Sequence, residues 1–226
     1  MATFDIHPRA LADALANAVD IGKDKTTHPL IYLRACAATL HVYGRGRYAA
    51  GVDSRPFKAE SAQYAEIVIT EDEAAELAQA LRGVEGVGRK ETTINVAIQE
   101  RIQLKVQYGD EILCELPDAD TLQISFGEPD EVDDWQEIDL LLEEIRCQRP
   151  EPLTRFGFQK DILARMNKIR SDSPVMDIAL HPKSHAVGIA LGSNFRALVA
   201  GIDRQAFANG GTWGDGPGKP EFLWEA

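Results

Sequence analysis

The spacing of apolar and polar residues changes in a fixed order, and this order occurs three times along the chain. Each occurrence starts with a short apolar strand, continues with apolar residues at helical spacing, and ends with three stretches in which apolar and polar residues alternate. The first covers residues 3–52, the second residues 65–116 and the third residues 156–202. The pattern therefore predicts a repeated strand–helix–three-strand unit and an α+β fold class with antiparallel sheets.

The predicted helices share the spacing of their apolar residues. The residues five and eight places after the last apolar strand residue are Leu11 and Ala14, Ala74 and Leu77, and Leu163 and Met166. An offset of three places both side chains on one helix face, so we expect these faces to pack on the sheets. In the third helix the same spacing adds Ile162 and Ile169 to the buried side, and leaves Lys160, Arg165 and Lys168 on the exposed side. The alternative is an α+β protein in which such runs recur without a true repeat.

Composition indicates a globular protein of ordinary core content. The chain has 226 residues, of which 44% are hydrophobic and 27% charged. No apolar run approaches the roughly 20 residues that a membrane helix needs, and the first residues lack the pattern of a signal peptide. We therefore expect a cytoplasmic protein without a membrane segment. The three cysteines are widely spaced and are expected to be free thiols.

The net charge of −12 argues against binding nucleic acid unless basic residues are concentrated on one face. Acidic residues are dense in 71–76 and 128–144, whereas 160–170 holds four basic residues and one acid. A local basic face of this kind can hold DNA weakly and without sequence preference.

The turn-forming residues divide the chain into three parts. The charged stretch 127–134 is predicted to be a linker, and 135–145 an acidic helix or extended segment with one apolar side. The last part is rich in Gly and Pro and ends in Phe222, Leu223 and Trp224. The predicted domains are 1–126 with two units, 127–205 with the linker and a second domain that lacks part of its first half, and a tail at 206–226.

The sequence carries no motif for catalysis or for a cofactor. No phosphate-binding glycine loop and no nucleophile motif is present. His181 and His185 have a spacing seen at metal sites, but Pro182 favours a turn there. We therefore expect no enzyme activity, no cofactor and no metal; a small α+β enzyme is the less favoured reading.

Three stretches give the chain a resemblance to the DNA sliding clamps. Residues 4–15 with 28–33 resemble the first helix and the following strand of a clamp, 129–142 resemble the linker before the last domain of a bacterial clamp, and 156–202 resemble its final half-domain. The chain is thus similar to the bacterial DNA polymerase III beta subunit and, more loosely, to proliferating cell nuclear antigen and phage clamps. A phage-like clamp and an accessory paralogue both remain open.

The resemblance implies a DNA sliding clamp, a polymerase processivity factor with sheets outside and helices inside. Its partners would be duplex DNA, a DNA polymerase, a clamp loader and further copies of itself in a ring. The chain length suits a trimer better than a dimer. The implied DNA-facing residues are Lys160, Arg165, Lys168, Arg170, Arg9, Lys23 and Lys25. The implied partner-binding residues are Phe222, Leu223, Trp224, Ala200, Gly201 and Ile202.

Three departures from the family leave an alternative open. Only three units are visible where two complete domains need four, and the second helix begins with the acids Glu71, Asp72 and Glu73. Residues 200–204 also differ from the strand that usually helps to form the partner pocket. The alternative is a clamp-like interaction or regulatory protein that does not encircle DNA.

Overall fold

The computed structural model describes residues 2–23, 30–46, 49–84, 89, 91–99, 103–117, 138–144, 160–180 and 186–200. The strands in this part of the chain are β1 (Ala2–Ile6), β2 (Leu30–Ala37), β3 (Thr39–Arg45), β4 (Ala49–Pro56), β5 (Gln63–Thr70), β6 (Ile94–Gln99), β7 (Gln103–Tyr108), β8 (Glu111–Pro117), β9 (Met176–Leu180), β10 (Ala186–Leu191) and β11 (Phe195–Ala200). The helices are α1 (Pro8–Gly22), α2 (Glu71–Arg82), α3 (138–144) and α4 (Lys160–Met166).

The strands form two antiparallel sheets. One has the order β1-β6-β7-β8 and the other the order β5-β2-β3-β4-β11-β10-β9. Every pairing between neighbouring strands is antiparallel. The α+β fold with antiparallel sheets, expected from the sequence, is therefore confirmed.

The first two repeats exchange their first strands. Unit 1 comprises β1, α1 and β2–β4, and unit 2 comprises β5, α2 and β6–β8. Strand β1 pairs with β6 of unit 2, with Phe4 opposite Val96, and β5 pairs with β2 of unit 1, with Ile69 opposite Ile31. Because each unit completes the sheet of the other, both share one hydrophobic core.

The third repeat joins unit 1 through a different contact. Unit 3 comprises α4 and β9–β11; its predicted first strand, 156–158, lies outside the described residues. Strand β11 pairs with β4, with Ala197 opposite Gly51. Its core includes Ile162 and Met166 of α4 and also Ile21 of α1. The larger sheet thus runs without interruption from unit 1 into unit 3.

Local sequence explains where the long helices begin and how closely one of them approaches its sheet. Pro8 occupies the start of α1, where its missing N–H costs nothing. At α2, Thr70 and Glu73 form a capping box in which each side chain accepts from the other residue's backbone N–H. Gly44 on β3 lets α1 pack closely, because a Cβ there would lie 1.9 Å from the Ala18 carbonyl oxygen.

The seven-stranded sheet is covered by different helices on its two faces. Ile31 and Leu33 of β2 pack in the core with α1, whereas Tyr32 between them packs with residues of α3. Since successive strand residues point to opposite faces, α3 lies on the face away from α1. We call these the helix face, which carries α1, α2 and α4, and the outer face, which carries α3.

Candidate nucleic-acid interface

Four arginines from all three units surround a cleft of about 600 Å³ beside the helices. Arg9 lies in the first turn of α1, Arg55 on β4, Arg82 at the end of α2 and Arg170 after α4. We call this the arginine cleft; it is lined by Arg9, Asp13, Arg55, Arg82, Arg170, Ser171 and Asp172. Residues far apart in sequence thus form a local concentration of positive charge on an acidic protein.

A buried hydrogen-bond network adjoins the arginine cleft through Arg55 and Arg170. The Asn17 side-chain amide donates to Asp53 Oδ2 at 2.7 Å and to the Arg170 carbonyl oxygen at 2.9 Å. Asn17 Oδ1 accepts from the Arg170 backbone N–H at 2.7 Å. Arg55 Nε donates to Asp53 Oδ1 at 2.6 Å. Because α1, β4 and the segment after α4 meet in these bonds, the network fixes unit 3 against unit 1.

Burial dominates the electrostatics of Asp53. Its carboxylate is fully buried, and the loss of hydration raises its pKa above the usual range of an aspartate, while Arg55 and Asn17 act in the opposite direction. The ion pair with Arg55 keeps that guanidinium against the buried carboxylate. Asp53 and Arg55 therefore form a structural pair rather than a free charge.

The rim arginines are more available to a ligand. The Arg9 side chain is 71% exposed, and its Nε lies 3.7 Å from Asp13 Oδ2. An exposed ion pair of this kind contributes little to stability. Arg170 is half-exposed and is shared between Asp13 at 3.7 Å and Asp20 at 3.5 Å. Arg82 is exposed at the end of α2. Arg9 and Arg170 can move to contact an anion, since water already screens their present partners, and Arg82 is exposed beside them.

The remaining DNA-facing residues expected from the sequence are distributed around the helices. Lys23 is exposed and 3.9 Å from Glu71, and Lys168 is exposed just after α4. Lys160 begins α4, but its side chain lies outside the described part of the chain, as does all of Lys25. The structure thus brings Arg9 and Arg170 together in one cleft, but not Lys23.

Two expectations for the third helix are wrong. Arg165 is not on the exposed side: it bonds to the Ile21 carbonyl oxygen at 3.4 Å and to Asp161 at 3.3 Å, and its side chain is only 16% exposed. Leu163 was expected to be buried but is 41% exposed. Helix α4 packs on its sheet and on α1 through Ile162 and Met166, which turns Leu163 outward and Arg165 towards α1.

Three residues of this region were not found from the sequence: Arg55 and Arg82 of the arginine cleft, and Asn17 of the buried network beside it. Arg55 stands two positions after Asp53. This spacing places both side chains on one side of a strand, and it is the signal in the sequence from which their pairing could have been predicted. Arg82 closes a helix whose first turn is acidic, and the charge pattern of that helix argues against an anion site. Asn17 lies within α1, and only the position of unit 3 gives it a role.

A second cluster lies on the outer face beneath α3. Arg34 donates to Asp139 Oδ2 at 2.5 Å and to the Tyr43 hydroxyl at 2.6 Å, and the Tyr43 hydroxyl donates to the same carboxylate oxygen at 2.7 Å. Burial and the nearby Asp139 raise the pKa of Tyr43, and burial lowers the pKa of His41. A cleft of about 500 Å³ opens beside this cluster, lined by Arg34, His41, Val52, Ser54, Asp139, Leu140, Leu142, Glu143 and Arg196.

Little of the expected partner-binding set can be placed. Ala200 ends β11, opposite Ala186, and is half-buried. Gly201, Ile202, Phe222, Leu223 and Trp224 lie outside the described residues. Within the described ranges, no cluster of three or more His, Cys, Asp or Glu residues is arranged to hold a metal ion, and no helix is long and apolar enough to cross a membrane.

Solved structures share this arrangement of strands and helices. The DNA polymerase sliding clamp of Pseudomonas aeruginosa matches with a TM-score of 0.56 at 13% identity, over 95% of this chain and 66% of that one. The chain has the fold of a DNA sliding clamp. The DNA polymerase III beta subunit of Thermotoga maritima matches with a TM-score of 0.58 at 10% identity, over 89% of this chain and 65% of that one.

The sliding clamp of Caulobacter crescentus gives a TM-score of 0.55 at 14% identity, over 95% of this chain and 67% of that one. The chain therefore spans about two-thirds of the length of these clamps. No protein-family model matches the sequence, and no curated protein matches it.

Proposed function

We propose that this chain is a DNA sliding clamp that encircles duplex DNA as a homo-oligomeric ring and tethers a replication polymerase. It would act in the cytoplasm, without catalysing a reaction, and a clamp loader would place it on DNA. The sliding-clamp fold supports this proposal, because α1, α2 and α4 lie together on one face of the sheet that the units share.

The arginine cleft is the observation that carries the proposal. Sequence-independent binding to duplex DNA depends on cations that contact phosphates without reading the bases. Arg9, Arg82 and Arg170 provide three such cations on the helix face of a chain whose net charge is −12. Arginine suits this task because its planar guanidinium can donate two hydrogen bonds to one phosphate.

The test compares charge reversals on the two faces. We would measure the binding of a fluorescent duplex by the full chain at several salt concentrations. The Arg9→Glu, Arg82→Glu double variant removes two exposed cations of the arginine cleft. The matched control, Lys105→Glu, Arg196→Glu, makes the same charge change away from the cleft. Each lost phosphate contact lowers the slope of log affinity against log salt by about 1.

We expect the cleft variant to bind more weakly, with a salt slope about 2 smaller, and the control to lose much less affinity. Both variants change the net charge equally, so a difference between them locates the contact. Equal affinities and equal slopes for the two variants would contradict a DNA-binding cleft. A separate test of encirclement compares how long the chain is retained on circular and on linear duplex. A ring that encircles DNA should be retained on the circular duplex but not on the linear one.

A clamp-like interaction protein that does not encircle DNA is the second candidate. It is favoured by the carboxylates of the cleft, since Asp13 and Asp53 already partner the arginines there. The outer-face cleft beneath α3 would then be the functional surface. This candidate predicts that neither double variant changes DNA binding, because the wild-type chain would bind duplex only negligibly.

A further inference from the structure

Asp13 of α1 lies between two of the arginines that line the arginine cleft. Its Oδ2 is 3.7 Å from Arg9 Nε, and its Oδ1 is 3.7 Å from Arg170 Nε. Each oxygen of one carboxylate therefore faces a different guanidinium, one from α1 and one from the segment after α4. The Asp13 side chain is only 19% exposed, so the carboxylate stays close to both arginines.

The sequence of α1 determines this placement. Arg9 and Asp13 are about one helical turn apart, and Asn17 follows one turn later on the same face. Asn17 bonds to the backbone carbonyl and N–H of Arg170. The Arg170 backbone is thus held at Asn17, while its side chain lies between Asp13, one turn before, and Asp20, 3.5 Å away in the next turn.

These ion pairs leave the two guanidinium groups able to bind another anion. A separation of 3.7 Å exceeds the roughly 2.7–3.2 Å of an N–H···O hydrogen bond, so both contacts with Asp13 are electrostatic. A phosphate can accept shorter, bidentate hydrogen bonds from an arginine. Asp13 therefore attracts the same two groups that a phosphate would bind, but holds each of them less firmly.

Asp13 also repels a phosphate that binds at this place. A phosphate oxygen about 2.8 Å from either Nε lies no more than about 6.5 Å from the Asp13 carboxylate. This distance is shorter than the screening length of roughly 8 Å at physiological salt, so the two negative charges interact. In a medium as polar as water their repulsion corresponds to about a threefold loss of affinity, and to more where water is partly excluded.

The other acid that lines the cleft is held by a different partner. Asp172 accepts from the Ser193 backbone N–H at 2.9 Å and from the Ser193 hydroxyl at 2.6 Å. These bonds lower the pKa of Asp172 and tie its carboxylate to the turn between β10 and β11. Asp13, by contrast, is paired with two arginines of the cleft.

We propose that Asp13 is an internal competitor for DNA phosphate, which pairs with Arg9 and Arg170 when DNA is absent and keeps their hold on DNA weak. The inference rests on the proposed function, because it assigns a role within the same cleft. Contacts that form and break easily allow a protein to slide along a duplex, and here each arginine can exchange a phosphate for the carboxylate. Asp13 thus limits the affinity of the cleft for DNA without preventing binding.

The test measures the binding of a fluorescent duplex by the full chain at several salt concentrations. Asp13→Asn removes the charge and keeps the size of the side chain. We expect it to bind duplex about threefold more tightly at low salt, with a smaller gain as salt rises. The slope of log affinity against log salt should become steeper by up to about 1, because the carboxylate freed in the wild type takes up a cation and the variant does not.

Three further variants make the test specific. Asp177→Asn makes the same charge change on the outer face, since Asp177 is exposed on β9 and Ala179, two residues later, packs with α3; it should bind like the wild type. Asp13→Glu keeps the charge and should bind more weakly than Asp13→Asn. Asp20→Asn should give a smaller gain than Asp13→Asn, because Asp13 pairs with two arginines of the cleft and Asp20 with Arg170. Circular dichroism checks that each variant remains folded.

The inference is overturned if Asp13→Asn binds no more tightly than Asp177→Asn, or if Asp13→Asn and Asp13→Glu bind equally. Weaker binding by Asp13→Asn would overturn it too, because Asp13 would then position the arginines for DNA. These results leave the proposed function standing as long as Arg9→Glu, Arg82→Glu weakens the binding of the wild type. Binding by neither the wild type nor Asp13→Asn would overturn both. Binding by Asp13→Asn but not by the wild type would support the inference and overturn the proposed function.

Discussion

Replacing Asn17 with alanine tests whether the buried network fixes unit 3 against unit 1. The substitution removes three hydrogen bonds, one to the Asp53 carboxylate and two to the main chain of Arg170. It leaves the helix backbone intact, since alanine is a better helix former than asparagine. Any loss of stability therefore comes from the lost contacts rather than from α1 itself.

The size of the effect follows from what each partner retains. Asp53 Oδ2 keeps a bond from Arg55 at 3.0 Å, and the Arg170 carbonyl oxygen keeps a long one at 3.5 Å. The Arg170 backbone N–H loses the partner that the structure gives it. A buried polar group left without a partner costs about 1–3 kcal/mol. The variant leaves one N–H without its partner and two acceptor oxygens with one hydrogen bond fewer. We therefore expect Asn17→Ala to lower the free energy of unfolding by about 2–4 kcal/mol.

Urea unfolding followed by circular dichroism measures this change, and hydrogen exchange at the Arg170 amide locates it. The control is Asn95→Ala, because Asn95 also donates to a carboxylate, that of Asp5 at 3.0 Å, but at an exposed site. We expect the control to cost at most about 1 kcal/mol. If Asn17→Ala costs no more than Asn95→Ala, or if the Arg170 amide exchanges no faster, the network does not hold the units together.

Three further predictions concern single side chains. Gly44→Ala should lower the free energy of unfolding by about 1–3 kcal/mol, measured in urea, because its Cβ would clash with the Ala18 carbonyl. The free energies of unfolding of Asp53→Asn and the wild type should be compared in urea from pH 4 to 7. Burial raises the pKa of Asp53 in the folded state, so its contribution to stability is present below pH 3.8 and is lost as the pH rises through the folded pKa. The stability of the wild type relative to the variant should therefore fall with rising pH. Asp139→Ala should speed hydrogen exchange in α3, because Tyr43 and Arg34 lose the carboxylate that anchors it.

Each of these predictions has an outcome that would contradict it. Gly83→Ala is the control for Gly44→Ala, since a Cβ there would meet only the Ala80 carbonyl oxygen, at 3.3 Å. Equal costs for the two glycine variants would show that α1 does not pack closely at Gly44. An advantage of the wild type over Asp53→Asn that grows with pH would mean that ion pairing, not burial, controls that carboxyl. Unchanged exchange in α3 would mean that its apolar contacts alone hold it.

The repeated fold could be predicted because it depends on local spacing. Leu11, Ala74 and Leu163 stand at equivalent places in sequence and in structure, and the alternation of apolar and polar residues in the second unit predicted the strands β6 and β7. The exposure of Leu163 could not be predicted in the same way. Burial depends on which other elements pack against the helix, and the pattern within α4 carries no information about them.

The arginine cleft was only half predictable for a related reason. Arg170 belongs to the basic stretch 160–170 and Arg9 was implied by the resemblance, but neither signal pointed to Arg55 or Arg82. Their grouping depends on how β4 and α2 meet α1 and the segment after α4, which are contacts between distant parts of the chain. Sequence patterns describe the faces of one element and carry little information about which ends of different elements meet.

The acidic second helix shows how an overall charge can mislead. Its first turn holds Glu71, Asp72 and Glu73, which favour the positive end of the helix dipole, and Glu71 faces Lys23. Arg82 ends the same helix, about 16 Å further along its axis at 1.5 Å per residue. That distance exceeds the screening length of roughly 8 Å at physiological salt, so the acids weaken the field at Arg82 only slightly. A helix with a negative charge overall can therefore still contribute a cation to an anion-binding cleft at its C-terminal end.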